Sequence, residues 1–351
     1  MDGDPVVEAE FDAFSLVLPL PYRVAIIFVC GVWAWGLNLQ YLQQVKIDVP
    51  ALLRYSPHPS DPHFRSTYRL ATVLTIPLVL SLFSFWIVTR FQARDVLRWQ
   101  ILPQSYLLYF LLVFVLPLRR LSHLGRSRFL NTLRRVSLGG LAEAQDGKFG
   151  DILLADVLTS YAKVFGDCFV STCWGGQHLA NALKYASAFP VIILSALQRG
   201  YDPKSFNMTE AGLFRLWLFF VFLNSFYSFY WDVTKDWDLT FLTSARKPHR
   251  MGEYPYGLRR YRYFQSPRLY YIGIGLDLML RCTWSFKLSP HLDHFNDLEG
   301  GIFMMEILEV ARRWMWIFLR VETEYVRVQT GPVADDIFLG EFSKIDQRLN
   351  I

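Results

Sequence analysis

The sequence predicts an all-α fold, a polytopic transmembrane helical bundle of about eight membrane segments, and three observations lead there. Of 351 residues, 52% are hydrophobic and only 19% charged, where soluble domains carry about 25% charged residues. The apolar residues are gathered into long runs, giving a mean hydropathy of +0.21. The charges that fall inside the later runs repeat at helical spacing rather than being scattered. Together these exclude a disordered chain, a collagen-like fibre and a coiled coil. The net charge of +5 is too mild and too dispersed for a nucleic-acid partner, and the bilayer itself is the expected surroundings.

The elements follow in order. Residues 1–21 read as an N-terminal tail; its acidic start (MDGDPVVEAEFDAF) lacks the positive-then-apolar pattern of a secretory leader, so the first apolar run is expected to stay in the membrane. Residues 22–150 hold three clean spans, 22–43, 69–89 and 101–118, an exposed loop at 48–68 and a basic loop at 119–150. Within that loop, RFLNTLRRV (128–136) suits a short helix lying on the membrane surface. Residues 151–325 form a core whose expected spans, 152–174, 177–198, 212–235, 269–287 and 301–320, all contain charges. A second basic loop occupies 246–268, and 326–351 is a C-terminal tail. Both basic loops are expected in the cytosol, which requires an even number of spans between them, yet three apolar runs lie there.

Charges in the core spans fall on single helix faces, because successive helical residues rotate by about 100°. Asp156, Ser160, Lys163 and Asp167 form one stripe, with Thr159 beside it. Ser225, Ser228, Asp232 and Asp236 form another. His178, Asn181 and Tyr185 share a face flanked by Lys184; Asp277, Arg281 and Trp284 share one; so do Glu306, Glu309, Arg313, Arg320 and Glu324, with Arg312 at the edge. A charge at the bilayer centre costs roughly 2.5–3.5 kcal/mol on insertion scales. Stripes that face one another across a wet interior avoid that cost, and the default meaning is a substrate or ion pathway. The plainer alternative is a set of structural ion pairs, Asp277 with Arg281 for example, with Arg320 and Glu324 at a membrane edge. Arg281, Arg312, Arg313 and Lys184 suit a tetrahedral oxyanion, since the guanidinium fork gives parallel hydrogen bonds and keeps its charge. The accompanying carboxylates suit a cation or proton path equally well, and charge types alone leave both open.

The remaining signals are weaker. The cysteines, Cys30, Cys168, Cys173 and Cys282, show no zinc spacing and read as buried membrane residues. HLDH (291–294) reads as a solvated loop rather than a metal site, and Asn207 heads a sequon of a kind common by chance. No nucleophile elbow, phosphate loop or dinucleotide fingerprint occurs, so neither an enzyme nor a cofactor is expected; a membrane acyltransferase would need a His/Asp pair at depth, and His178 alone is a candidate.

The motifs LLADVLTS (153–160), GGQHLANALKY (175–185), NSFYSFYWDVTKDWDL (224–239), LDLMLRCTW (276–284) and EVARRWMWIFLRVETEY (309–325) resemble the EXS domain of eukaryotic phosphate exporters. The resemblance covers roughly residues 25–345. It implies inorganic phosphate as the substrate, held by Lys184, Tyr185, Arg281, Arg312 and Arg313, with Asp156, Asp232, Asp236, Trp284 and Glu309 supporting the pathway. Without a preceding SPX domain the chain resembles the Golgi branch of the family. That implies a multi-pass Golgi membrane protein returning phosphate released by glycosylation, and supporting glycosyltransferase recycling and retention of luminal proteins of the endoplasmic reticulum. It also brings forward an alternative, a non-transporting sorting protein that binds glycosyltransferase cytosolic tails together with coat machinery. A homodimer is a further expected partnership. Two departures are visible. Thr159 stands where the family often has Asn, and the chain runs from FGDCFVSTC straight into WGGQHLANALKY, where the family places a further hydrophobic helix and a basic loop.

Overall fold

The computed structural model describes residues 13–53, 63–138 (apart from 117, 119, 120 and 122), 148–158, 183–199 (apart from 185), 209–242, 255–283 and 299–330. Among these residues the secondary structure is helical, without a strand. The longer helices are α1 (Leu20–Gln44), α2 (His63–Thr89), α3 (Ile101–Val115), α4 (His123–Ser137), α5 (Lys148–Leu158), α6 (Ala188–Arg199), α7 (Glu210–Trp231), α8 (Pro267–Arg281) and α9 (Glu299–Thr330). Three stretches are long and apolar enough to cross a membrane: Leu20–Gln44, Phe64–Thr89 and Glu210–Asp236. Their flanks expose Leu80, Ile87 and Phe219, as a bilayer-facing surface requires.

Several boundaries differ from the sequence expectation. The expected loop at 48–68 gives way to α2 from His63, so Arg65 belongs to the helix. The third apolar run stops at Val115, because Leu116 (ψ 139°) is held extended by the proline that follows it. The last span is a 32-residue helix, longer than its apolar run. Of the run 152–174 only the start is described, as the end of α5.

The chain divides into two compact units, Met1–Gln40 with Pro57–Asn131 and Cys282–Trp314, and Tyr41–Ser56 with Thr132–Arg281 and Met315–Ile351. The first unit is cored by Tyr22, Ala25, Val29, Leu70, Leu74, Leu78, Phe85, Tyr106 and Val113. Its helices are stitched by side-chain hydrogen bonds, as membrane bundles without a hydrophobic drive between helices tend to be. The Tyr106 hydroxyl donates to the Leu74 carbonyl at 2.9 Å, and the Tyr109 hydroxyl donates to Val73 O at 2.9 Å. Trp33 Nε1 donates to Thr75 Oγ1 at 2.9 Å. Gly36 has a steric reason: a Cβ there would meet the Tyr68 ring at 2.7 Å.

Two arginines are structural here, Arg23 at the start of the first expected span and Arg126 in the expected basic loop. Arg23, 3% exposed, pairs with Glu299 and donates to Leu18 O at 2.8 Å and Ser15 Oγ at 2.8 Å. Arg126, 4% exposed, folds onto the end of α3. Its Nη1 donates to Val113 O, to Phe114 O at 3.3 Å and to Leu116 O at 2.7 Å. Nη2 reaches Leu118 O at 2.8 Å, and Nε reaches Leu121 O at 2.7 Å. The last carbonyls of a helix lack intrahelical donors, and one planar guanidinium supplies them here.

In the second unit α6 and α7 pack as a hairpin, with Trp217 Nε1 donating to Ser195 Oγ at 2.9 Å and Thr209 capping α7 through Gly212 N at 3.2 Å. Helices α8 and α9 approach closely at Gly273, where a Cβ would lie 2.9 Å from Leu319. Arg135 on α4 grips the fully buried Asp151 of α5 with two bonds, 2.9 Å and 2.6 Å.

Removing the guanidinium from Arg126 leaves carbonyls at the end of α3 without donors. Arg126→Ala is expected to destabilise the protein by about 2–4 kcal/mol. Thermal unfolding in detergent measures this, and a melting temperature equal to wild type refutes the capping role.

Candidate functional site

The site is built where α7 changes its winding. The helix is regular to Trp231 and passes into a π-helical turn over Asp232–Asp236, closed by Trp237 N–H donating to Asp232 O at 2.8 Å. Single π turns inside α-helices frequently mark functional sites. The sequence stripe assumed regular α spacing for this pair; the wider turn presents Asp232 and Asp236 together to Lys184, which lies just ahead of α6. Lys184 Nζ donates to Asp232 Oδ1 at 2.8 Å and to Asp236 Oδ2 at 3.2 Å.

The other oxygen of Asp232 is taken by Arg281 at the end of α8, whose Nη2 donates to Oδ2. Arg281 Nε donates in turn to Asp277 Oδ2 at 3.0 Å. Asp232 is 1% exposed, Asp277 0% and Lys184 9%. Around them Ser187 Oγ lies 2.8 Å from Asn224 Oδ1, and Ser225 and Ser228 are buried on α7. Three carboxylates and two cations thus interlock through Asp232. Desolvating charges is tolerable only when partners and further hydrogen bonds replace water, and here each charge has them.

The structure therefore brings together Lys184, Arg281, Asp232 and Asp236 from the sequence-derived set. The pair Asp277–Arg281, the plainer alternative, also forms, but as one edge of this larger cluster. Arg312 and Arg313 belong to the first unit and both hold Glu309: Arg312 Nη2 reaches Oε1 at 2.6 Å, and Arg313 Nε reaches it at 2.8 Å. Arg312 is buried at 3%, while the Glu309 side chain is half exposed. Arg320 pairs with Glu324 at 3.1 Å, a local i, i+4 bridge. Asp156 lies in α5 with its side chain outside the described residues. Tyr185, Trp284, Ser160, Lys163, Asp167, His178, Asn181, Asn207, His291 and His294 also lie outside them, as do Cys168 and Cys173. Cys30, expected buried, is exposed on α1.

Sequence reasoning missed a second buried cluster. Glu322 on α9 is 0% exposed. It accepts from Arg259 Nη2 at 2.7 Å, from Tyr263 N at 2.7 Å, from Phe264 N at 3.4 Å and from the Tyr270 hydroxyl. This carboxylate ties the segment before α8 to α9. Arg259 sits in the stretch expected to be a solvated basic loop, and neither spacing nor composition distinguishes it from its neighbours Arg260 and Arg262. Among the described residues no group of His, Cys, Asp and Glu has a metal-binding arrangement.

Three helices long and apolar enough to cross a membrane, in a chain whose described residues are helical, define an all-α membrane protein, and its second unit holds a buried, interlocked ionic cluster. The chain belongs to the EXS family, whose model matches residues 18–176 and 173–326. It is similar to Protein ERD1 homolog 2 of Schizosaccharomyces pombe, 25% identical over 87% of this chain and 96% of that protein. Protein ERD1 of Kluyveromyces lactis is 33% identical over 46% of this chain and 41% of its own length. Solute carrier family 53 member 1 of Mus terricolor is 30% identical over 42% of this chain and 20% of its own length. The family match breaks into two stretches at 173–176, the junction where the sequence runs directly between two motifs. The alignment to the Schizosaccharomyces pombe protein extends over 388 positions, more than the 351 residues of this chain. That relative therefore carries residues with no counterpart here.

Asp232 touches both cations, whereas Asp236 touches Lys184 and is more exposed, at 13%. Asp232→Ala is expected to cost about 3–5 kcal/mol and Asp236→Ala clearly less. Unfolding of the two variants in detergent gives the comparison, and an equal or reversed order overturns the central place of Asp232.

Proposed function

We propose that this chain moves inorganic phosphate across the Golgi membrane, returning phosphate released by glycosylation in the lumen and so supporting glycosyltransferase recycling. The observation that carries this reading is the pair of buried cations, Lys184 and Arg281, sharing one carboxylate. An ammonium and a guanidinium at one point are a suitable replacement for the hydration of a tetrahedral oxyanion. Phosphate competes with Asp232 for these groups. Asp236 and Asp277 hold the cations in place between ions and keep binding weak enough for release, which conduction requires. The reaction involves no covalent step and no cofactor.

Support comes also from similarity to a protein named as a solute carrier. The resemblance also implies phosphate contacts for Arg312 and Arg313, which in the first unit rest on Glu309.

The test is uptake of radiolabelled phosphate by proteoliposomes containing the purified chain. Arg281→Ala is expected to abolish uptake by protein that still inserts, measured per inserted molecule; undiminished uptake refutes the assignment. Inserting into this chain, at 173–176, the hydrophobic helix and basic loop that the family resemblance implies between the two motifs is expected to raise uptake. Enzyme retention without any flux is the result expected of a sorting protein instead.

A further inference from the structure

Helix α2 carries a feature that phosphate movement does not use. Its exposed positions Arg65, Arg69, Thr72, Ile76, Leu80, Phe83 and Ile87 recur at helical spacing and form one continuous face. The lower part, Ile76 to Ile87, is apolar and faces lipid. The upper part carries two arginines.

The register bears on their depth. Arg69 and Arg90, just beyond the C-terminal end of α2, are separated by a rise of about 31 Å, which matches the roughly 30 Å hydrocarbon thickness. With Arg69 and Arg90 taken as the two boundaries, Arg65 lies one turn further out, at headgroup depth. Both Arg65 and Arg69 are exposed on the same face as the apolar stripe.

The helix end sharpens the requirement. A helix N-terminus carries partial positive charge that favours anions, and the first turn of α2 has no acidic residue. In fact the whole helix has none. Placing arginines here adds positive charge to positive charge. Beside them lies a shallow hollow, widely open, of about 470 Å³ on the α2 surface, lined by Arg65, Tyr68, Arg69, Thr72 and Val73. Its floor is fixed: the Tyr68 hydroxyl donates to Gln40 Oε1 at 2.6 Å, its ring packs on Trp33 and Phe64, and Gly36 leaves the room for that ring.

We propose that this hollow binds the phosphate headgroup of an anionic phospholipid, with Arg65 and Arg69 on the phosphate and the acyl chains running down Ile76, Leu80 and Phe83. A lipid rather than free phosphate is the occupant because the hollow opens onto the bilayer-facing stripe, where a soluble ion gains nothing from the apolar surface below.

The full chain, purified from nanodiscs of phosphatidylcholine containing a minority of phosphatidic acid, is examined by native mass spectrometry for retained lipid. Phosphatidic acid is expected to be retained in preference to phosphatidylcholine and to survive excess inorganic phosphate. Arg65→Gln with Arg69→Gln is expected to reduce that retention about tenfold or more. The control pair Arg90→Gln with Arg94→Gln, at the opposite boundary, is expected to leave it unchanged. Should the first double variant fold poorly, Thr72→Tyr, which fills the hollow and keeps both charges, is expected to lower retention as well. Equal retention in the hollow's variants, equal loss in the control pair, or displacement by inorganic phosphate overturns the proposal.

Discussion

The second unit depends on a single constraint, that charge withdrawn from water must be met by opposite charge at contact distance. Asp232 satisfies it for two cations at once. Its two oxygens point to different helical elements, so it fixes Lys184 near α6 relative to Arg281 on α8 through α7. Asp232 and Asp236 share one face, and across the π turn both carboxylates reach one ammonium.

Arginine meets the same constraint elsewhere by a different route. Arg126 has no carboxylate in its described contacts and instead gathers carbonyl oxygens at the end of α3, where the helix dipole presents partial negative charge. Glu322 is its mirror image, a carboxylate receiving two backbone N–H groups, a hydroxyl and Arg259. These residues hold segments between helices, where the backbone runs out of its own partners. Membrane bundles lack the hydrophobic drive that would press such segments down in water, so polar clamps of this kind take over the task.

How much of this was legible in the sequence follows from the range of each interaction. The helical class is local and was legible, and so were three of the expected apolar spans, those at 22–43, 69–89 and 212–235. So was Arg281 with Asp277, four residues apart on one face. The stripes also identified Asp232, Asp236 and Lys184 as ionic faces, although their mutual contact spans 48 residues and left no trace in periodicity. Arg126 and Arg259 were illegible in a stronger sense. Each sits in a run of arginines whose composition says only that the run is basic, and burial of one member depends on tertiary neighbours up to 63 residues away. The same holds for Glu322, passed over in favour of Glu324, because two carboxylates two residues apart look alike until one is seen to face Arg259 and the other Arg320.

An ionic cluster in which every cation already has a carboxylate looks at first unsuited to an anion. The difficulty dissolves when affinity is separated from passage. Unpaired buried cations would be costly in the empty protein, and they would hold an oxyanion too tightly for it to leave. A cation that exchanges one carboxylate oxygen for one phosphate oxygen changes its energy little in either direction, so the same contacts that stabilise the empty site keep the occupied one shallow. On the proposed reading Asp232 is therefore the competitor that makes turnover feasible rather than an obstacle to it. Removing it would cost stability first and would deepen, not abolish, the attraction of Lys184 and Arg281 for phosphate. This separates its role from that of Arg281, whose loss takes away a group that meets the ion.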